Sequence, residues 1–446
     1  MPQSYTSYRN IWQVSYPLML SGLAMTVINV TDMAFLGRVS EVALGAVGLA
    51  GIYYFIFLMA GIGIGIGAQI IIARHDGEQQ PERIGPVFDH LLYIMITMAG
   101  LLWLLYTVVT PSVLRLVITS DAIYQNILLY MDIRVLGFFP TFIFLAYRSL
   151  LTGISTTKAI SYASGIMALS NVFLNYLLVF GNWGFPRLEI EGAAWASLFS
   201  EIISLIIILG WMAWTKKGKA FGCHRFPKPS RPITLSILQL GVPVMLQHVV
   251  ALCSWLAFFT IIESMGERQL AISNVARSVY SVLMIPLIAI SQATQSLVSN
   301  ILGQGKPEQL RQLISRLIIL SLACSTVLLL VNLINPFLLL NIFTNDSLLS
   351  SGAIPIVYVL SVTILFFSVA MTLLSCVSGT GATKMALLIE VTTLVFYLIF
   401  VVFTVKIWHW PLYLVWSAEF VYFIIIGLLS ALYLWSGRWK TVKVHE

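Results

Sequence analysis

The chain of 446 residues is 59% hydrophobic and only 10% charged, with a mean hydropathy of +0.92, which excludes an ordinary soluble domain and a disordered one. Its net charge of +7 and pI of 9.2 therefore read as the basic inner loops of a polytopic membrane protein, and no nucleic-acid patch is indicated. Cys223, Cys253, Cys324 and Cys376 lack CxxC or His-paired spacing, so neither disulfides nor a metal site is expected.

A bilayer core about 30 Å thick needs roughly 20 apolar residues per helix, and about twelve such runs follow along the chain. The first, 11–36, comes after a short polar start without a small-residue cleavage site, so it is expected to remain as a helix. It ends in "TVINVTDMAFLG", which sets Asp32 where hydropathy predicts hydrocarbon. Gly22, Thr26, Asn29 and Asp32 recur at helical steps and share one face. A polar stripe facing lipid is expensive, so this face is expected to look into the bundle or a wet cavity.

The second run, 43–73, carries "GIGIGIGAQ" up to Gln69. No strand precedes it, so the phosphate-loop context is absent and close helix packing is expected. Runs at 87–110 and 123–150 follow, the latter with Arg134 and Arg148 towards opposite ends. Arg148 can snorkel to the inner surface, and Arg134 is expected to pair an acid of the outer half. In run 160–181, Asn171 and Asn175 stand at i, i+4, and in run 192–214 so do Ser197 and Glu201, which puts each pair on one face.

After "TKKGKAFGCHRFPKPSRP" (215–232), further runs occupy 234–263, 269–301, 313–341, 353–377, 385–405 and 411–435. They contain Gln247, His248, Trp255, Arg277, Gln295, Glu390 and Glu419. Intramembrane charges such as Arg277 and Glu390 need a partner or water. "GQGKPE" (303–308) lacks the Ser or Thr after Lys that a phosphate loop requires. No HExxH or GxSxG is present, so no enzyme is expected.

Aligning "SYPLML" at Pro17 with "GVPVML" at Pro243 sets an offset of 226 residues. At that offset Glu41 falls on Glu267, Gln69 on Gln295, Gly77 on Gly303, Pro81 on Pro307, and "GISTTK" on "GTGATK". The chain thus reads as two homologous six-helix halves, 1–214 and 233–446, joined by a cytoplasmic loop at 215–232. A parallel repeat of this kind suits two bundles alternating around a central cavity. Lys and Arg cluster in the loops that lie inside if the N-terminus is inside, including Arg74, Lys158, Lys216, Lys217, Lys306 and Lys384, and in the tail at Arg438, Lys440 and Lys443. Both termini are therefore expected in the cytoplasm.

"TDMAFLGRVS" ending the first helix, "GAQIIIARHDGE" ending the second, "SNVFLNYLLVFG" in the fifth and "EGAAWAS" opening the sixth together carry a likeness over essentially the whole chain. It resembles the multidrug and toxic compound extrusion (MATE) transporters, in the multidrug/oligosaccharidyl-lipid/polysaccharide flippase superfamily. The resemblance implies an all-helical, V-shaped, twelve-helix antiporter expelling small organic, often cationic, compounds in exchange for H+ or Na+, and the short tails and loops point to a bacterial inner membrane. It implies no cofactor, and a monomer is expected.

From the residues alone, Asp32 reads either as a coupling carboxylate, favoured neutral when taken out of water, or as an interfacial acid satisfied by water. The resemblance favours coupling and extends the cation site to Asn171, Asn175 and Ser197. Archaeal members of the DinF branch have a second acid at the position of Asn175, so Na+ binding at Asp32, Asn171 and Asn175 would rely on carboxamide oxygens. Glu201 reads either as a replacement for that missing charge or as a polar packing residue. At the repeat offset, Asp32 becomes Phe258, and the acids of the NorM branch's C-terminal site are absent near Ala251 and Ala370. Asn29, Gln69, Gln247, His248, Trp255 and Gln295 are the candidate cavity residues, with Trp faces suited to organic cations. Two alternatives stand beside an antiporter: a flippase for a lipid-linked or amphiphilic substrate, and a non-transporting receptor or scaffold.

Overall fold

In lipid every backbone polar group must be satisfied within the segment, so apolar runs of this length become helices. The computed structural model describes residues 6–118, 120–344 and 346–442, and among them it is helical without a strand; Lys443 of the basic tail lies outside the described residues. Twelve long helices follow in order: α1 Tyr8–Leu36, α2 Glu41–Gly77, α3 Pro81–Val108, α4 Asp121–Gly153, α5 Lys158–Leu178 and α6 Glu189–Trp214. The second six are α7 Arg231–Glu263, α8 Glu267–Gly303, α9 Pro307–Ile334, α10 Ser347–Gly379, α11 Thr383–Ile407 and α12 Leu412–Trp435.

Eleven of these are long and apolar enough to cross a membrane. The exception, α5, has the length at 21 residues but carries Ser161, Ser164, Ser170, Asn171 and Asn175. Helix starts follow local chemistry: Ser40 caps α2 by accepting from the Ala43 N–H at 3.0 Å, and Asp346 caps α10 by accepting from Leu348 and Leu349. Pro81 opens α3, where its missing N–H costs nothing. The repeat is visible in the elements, since α2 and α8 are both 37 residues long and both run from Glu to Gly.

The chain forms two compact units, one of residues 20–241 and the other of the residues up to Met19 with those from Val242 onward. This differs from a division at 214 and 233 in both helices that open a repeat. The start of α1 belongs to the C-terminal unit because Arg316 donates to the Thr6 carbonyl at 2.7 Å and lies over the Tyr8 ring. The start of α7 belongs to the N-terminal unit, where Gly241 meets α2 so closely that a Cβ on Gly67 would lie 2.5 Å from its nitrogen. Those glycines in "GIGIGIGAQ" are a packing device.

The segment 215–232 is also part of the N-terminal unit. Asp89, fully buried in α3, accepts from the backbone N–H groups of His224 at 2.7 Å, Arg225 at 3.0 Å and Phe226 at 2.9 Å. His90 Nε2 accepts from the Ser230 N–H at 2.7 Å, which leaves Nδ1–H to donate to the Pro86 carbonyl. His224 and Phe226 sit at positive φ, a conformation that costs about 1–3 kcal/mol and that the Asp89 carboxylate offsets by bonding to both residues. Inside the C-terminal unit, Phe258, Tyr280, Phe367, Tyr397, Trp416 and Phe423 belong to one large apolar core.

Candidate ion-coupling site

Asp32 lies near the end of α1, and α5 and α6 supply its partners. The α5 helix turns Asn171 and Asn175 to one side, and α6 pairs with α5 through the short connection 179–188. Asn175 Nδ2 donates to Asp32 Oδ1 at 2.6 Å and to Asn171 Oδ1 at 3.0 Å. Ser197 Oγ donates to Asp32 Oδ2 at 3.3 Å and accepts from Asn171 Nδ2 at 3.2 Å. All four side chains are buried, Asn171 and Asn175 completely. The structure thus brings Asp32, Asn171, Asn175 and Ser197 into one closed network whose donors to the carboxylate are all neutral.

One atom is left over. Asn175 Oδ1 is buried without a donor among the described residues, and a buried unpaired carbonyl oxygen is costly unless something else fills its coordination. Asp32, Asn171 and Ser197 around it carry oxygens too, the ligand type a hard cation prefers. No group of three or more His, Cys, Asp or Glu that could hold a metal exists among the described residues.

Glu201 does not join this network. Both its oxygens accept from Arg134, at 2.6 and 2.9 Å, in a bidentate pair whose side chains are only 13% and 12% exposed. Arg134 also lies 4.1 Å from the centroid of Tyr54, which stacks on Phe138 at 4.7 Å. The pair fits because α4 passes through a 3-10 turn at Val135–Gly137, and a Cβ on Gly137 would collide with both partners. Along α1, the stripe is less inward than its periodicity predicts. Thr26 bonds back to the Gly22 carbonyl at 3.2 Å and Asn29 is exposed, so Asp32 alone of the stripe depends on other helices.

The remaining candidates fall into the two units separately. Gln69 is buried in the N-terminal unit, and in the C-terminal unit Gln295 is buried with Oε1 unpaired. His248 is half-buried, and its Nε2 is buried without a hydrogen-bond partner. Gln247 donates to Glu390 Oε2 at 3.3 Å, and Trp255 stacks nearly parallel to Tyr280 with centroids 6.2 Å apart. Arg277 is exposed and lies over Phe259.

A family model described as MatE matches residues 17–177 and, separately, 243–403. The chain belongs to the MatE family. Both matches begin at the prolines that set the repeat and are displaced by the same 226 residues, so each half is a MatE unit. Among curated relatives, the probable multidrug resistance protein YoeA of Bacillus subtilis is 25% identical over 67% of this chain and 65% of its own length. The chain thus spans about two thirds of that relative. A probable multidrug resistance protein NorM of Thermotoga maritima is 23% identical over 97% of this chain and 93% of its own. The fold matches that of a mutant Vibrio cholerae MATE transporter, VcmN, with a TM-score of 0.89 at 17% identity, covering 99% of each chain. These relatives are named for multidrug resistance, and the matched structure is named a transporter.

Several side chains that shape this MatE protein carry no signal in isolation. Tyr54 and Gly137 are single residues in apolar helices, and only their meeting with Arg134 and Glu201 gives them a role. Tyr397 and Tyr422 could have been found: they stand seven residues after Glu390 and three after Glu419, spacings that share a helical face.

Proposed function

We propose that this protein is a secondary active multidrug efflux antiporter that exports small organic, often cationic, compounds in exchange for H+ or Na+, with Asp32 as the coupling carboxylate. The observation that carries this reading is a buried carboxylate held only by neutral donors from α5 and α6, while the neighbouring acid Glu201 is neutralised by Arg134. Asp32 is then the acid of that region free to change its charge. Family membership and the printed names of the relatives support multidrug substrates.

In the proposed cycle, Asp32 takes up a proton, or binds Na+ with the oxygens of Asn171, Asn175 and Ser197, as the drug leaves outward. Ion release inward restores the drug-binding form. One charge crossing 100 mV supplies about 2.3 kcal/mol, which sustains a concentration ratio of about fortyfold. The protein would act as a monomer in a bacterial inner membrane with both termini cytoplasmic, as the loop charges favour.

The test is ethidium efflux by purified protein in liposomes, wild type against Asp32→Asn, under proton and sodium gradients imposed one at a time. Gradient-driven efflux is expected to be lost in the variant while ethidium binding remains, and the gradient that drives the wild type names the ion. Efflux by Asp32→Asn at the wild-type rate would remove Asp32 from coupling.

A further inference from the structure

The C-terminal unit buries two acids that the cycle above does not use. Glu390 in α11 is 2% exposed and Glu419 in α12 is 3% exposed. Each accepts two hydrogen bonds, and the four donors come from four helices. Glu390 accepts from Gln247 Nε2 of α7 at 3.3 Å and from the Tyr422 hydroxyl of α12. Glu419 accepts from the Tyr280 hydroxyl of α8 at 3.1 Å and from the Tyr397 hydroxyl of α11 at 3.2 Å. The pattern is reciprocal, because α11 offers Glu390 and Tyr397 while α12 offers Glu419 and Tyr422, and each glutamate is held by the other helix's tyrosine. The two tyrosine rings meet at 5.7 Å.

No cation among the described residues balances these acids. Among the described residues no Lys, Arg or His lies within ion-pair distance of either. Arg277 of α8 is occupied with the Phe259 face, and His248, beside Gln247 on α7, bonds to neither acid. From α10, which packs on both α11 and α12, Phe366 and Phe367 meet Phe420 and Phe423. The titratable groups of α10, Tyr358 and Cys376, make no bond to either glutamate. Two anions without a counter-charge inside a bilayer are far more expensive than the same groups carrying protons.

We propose that Glu390 and Glu419 form a second proton-binding site, contained within the C-terminal unit and separate from Asp32. A carboxylate accepts from both of its donors. Once protonated, one of its oxygens becomes a donor, and a tyrosine hydroxyl on that oxygen can turn to accept from it, as can a glutamine carbonyl. Proton uptake is thereby tied to how α11 and α12 hold each other. The site deepens the ion-coupled reading above, but its occupancy can be read without transport.

The experiment is infrared titration of the full-length protein in liposomes, in an Asp32→Asn background, following the carbonyl stretch of neutral carboxylic acids between about pH 5 and 8. The Asp32→Asn protein is expected to show a titrating neutral-carboxyl band, diminished in Glu390→Gln or Glu419→Gln and lost in the pair. Tyr422→Phe and Tyr397→Phe, which keep the fold's apolar contacts, each remove one donor from the ionised form, so the midpoint is expected to rise by about one pH unit. A band unchanged by both glutamine variants, carboxylate stretches alone across the range, or a midpoint unmoved in both phenylalanine variants would overturn the proposal. Because Asp32 is absent from these proteins, failure of Asp32→Asn in efflux neither supports nor sinks the result.

Discussion

At the scale of single residues, the N-terminal unit separates two acids by what they bond to. Glu201 is locked in a bidentate pair with Arg134, and Asp32 is bonded only to amides and a hydroxyl. Breaking a buried pair by removing one partner strands the other charge, at about 3–5 kcal/mol, whereas replacing both with apolar groups is often neutral. Glu201→Gln is therefore expected to lower the thermal unfolding temperature in detergent clearly, and Arg134→Met with Glu201→Leu to recover most of it. A Glu201→Gln protein as stable as wild type would show that the pair contributes little. Asp32, Asn171, Asn175 and Ser197 were legible through the family resemblance, while spacing alone fixed the helical face on which each sits. The pairing of Glu201 was not, because i, i+4 spacing with Ser197 fixes a side of α6 and says nothing of which helix lies there.

At the scale of elements, the segment 215–232 is the clearest departure from its sequence. Its Lys, Gly and Pro content reads as a loose basic connection, yet side chains outside the segment order it, Asp89 with the most bonds. Asp89 at the start of α3 gathers three consecutive backbone N–H groups, and Tyr147 bonds His224 at 2.6 Å. No pattern within 215–232 could reveal a partner 135 residues away. Cys223 reports on this order: it is buried, and burial, with the Asp89 charge beside it, pushes its thiol up to about 12. With Cys253, Cys324 and Cys376 replaced by Ala, Cys223 is expected to resist maleimide at pH 7, since the thiolate is the reactive form. Asp89→Ala should raise the labelling rate at least about tenfold as the segment opens and the thiol returns toward its ordinary range. Equal rates would show that the segment is held by other contacts.

For the whole molecule, the helix count, the twofold repeat and the helical class were all readable, because hydropathy and a gapless offset of 226 residues depend only on composition and order. The makeup of the two units was not readable, since the first turns of α1 and α7 belong to the unit opposite their own repeat. A sequence repeat records ancestry, while a compact unit records packing. The loop charges make a prediction at this scale. Cysteines introduced singly at Trp183 and His409, both in short connections between helices, are expected to react with a membrane-impermeant maleimide on intact cells. One at Lys306 should react only after permeabilisation. The reverse pattern would invert the assigned orientation.

The polar face of α5 also bears on how the chain enters the membrane at all. Asn171 and Asn175, which hold Asp32, are among the residues that leave α5 without a stretch as apolar as those of its eleven companions. A helix emerging alone from the insertion machinery with two carboxamides and three serines gains little from lipid. With α6, whose Ser197 accepts from Asn171, it can hide those groups in a hairpin. Residues 158–214 are therefore expected to insert together as a hairpin, and the Asp32 network needs α6 as well as α5 to be complete.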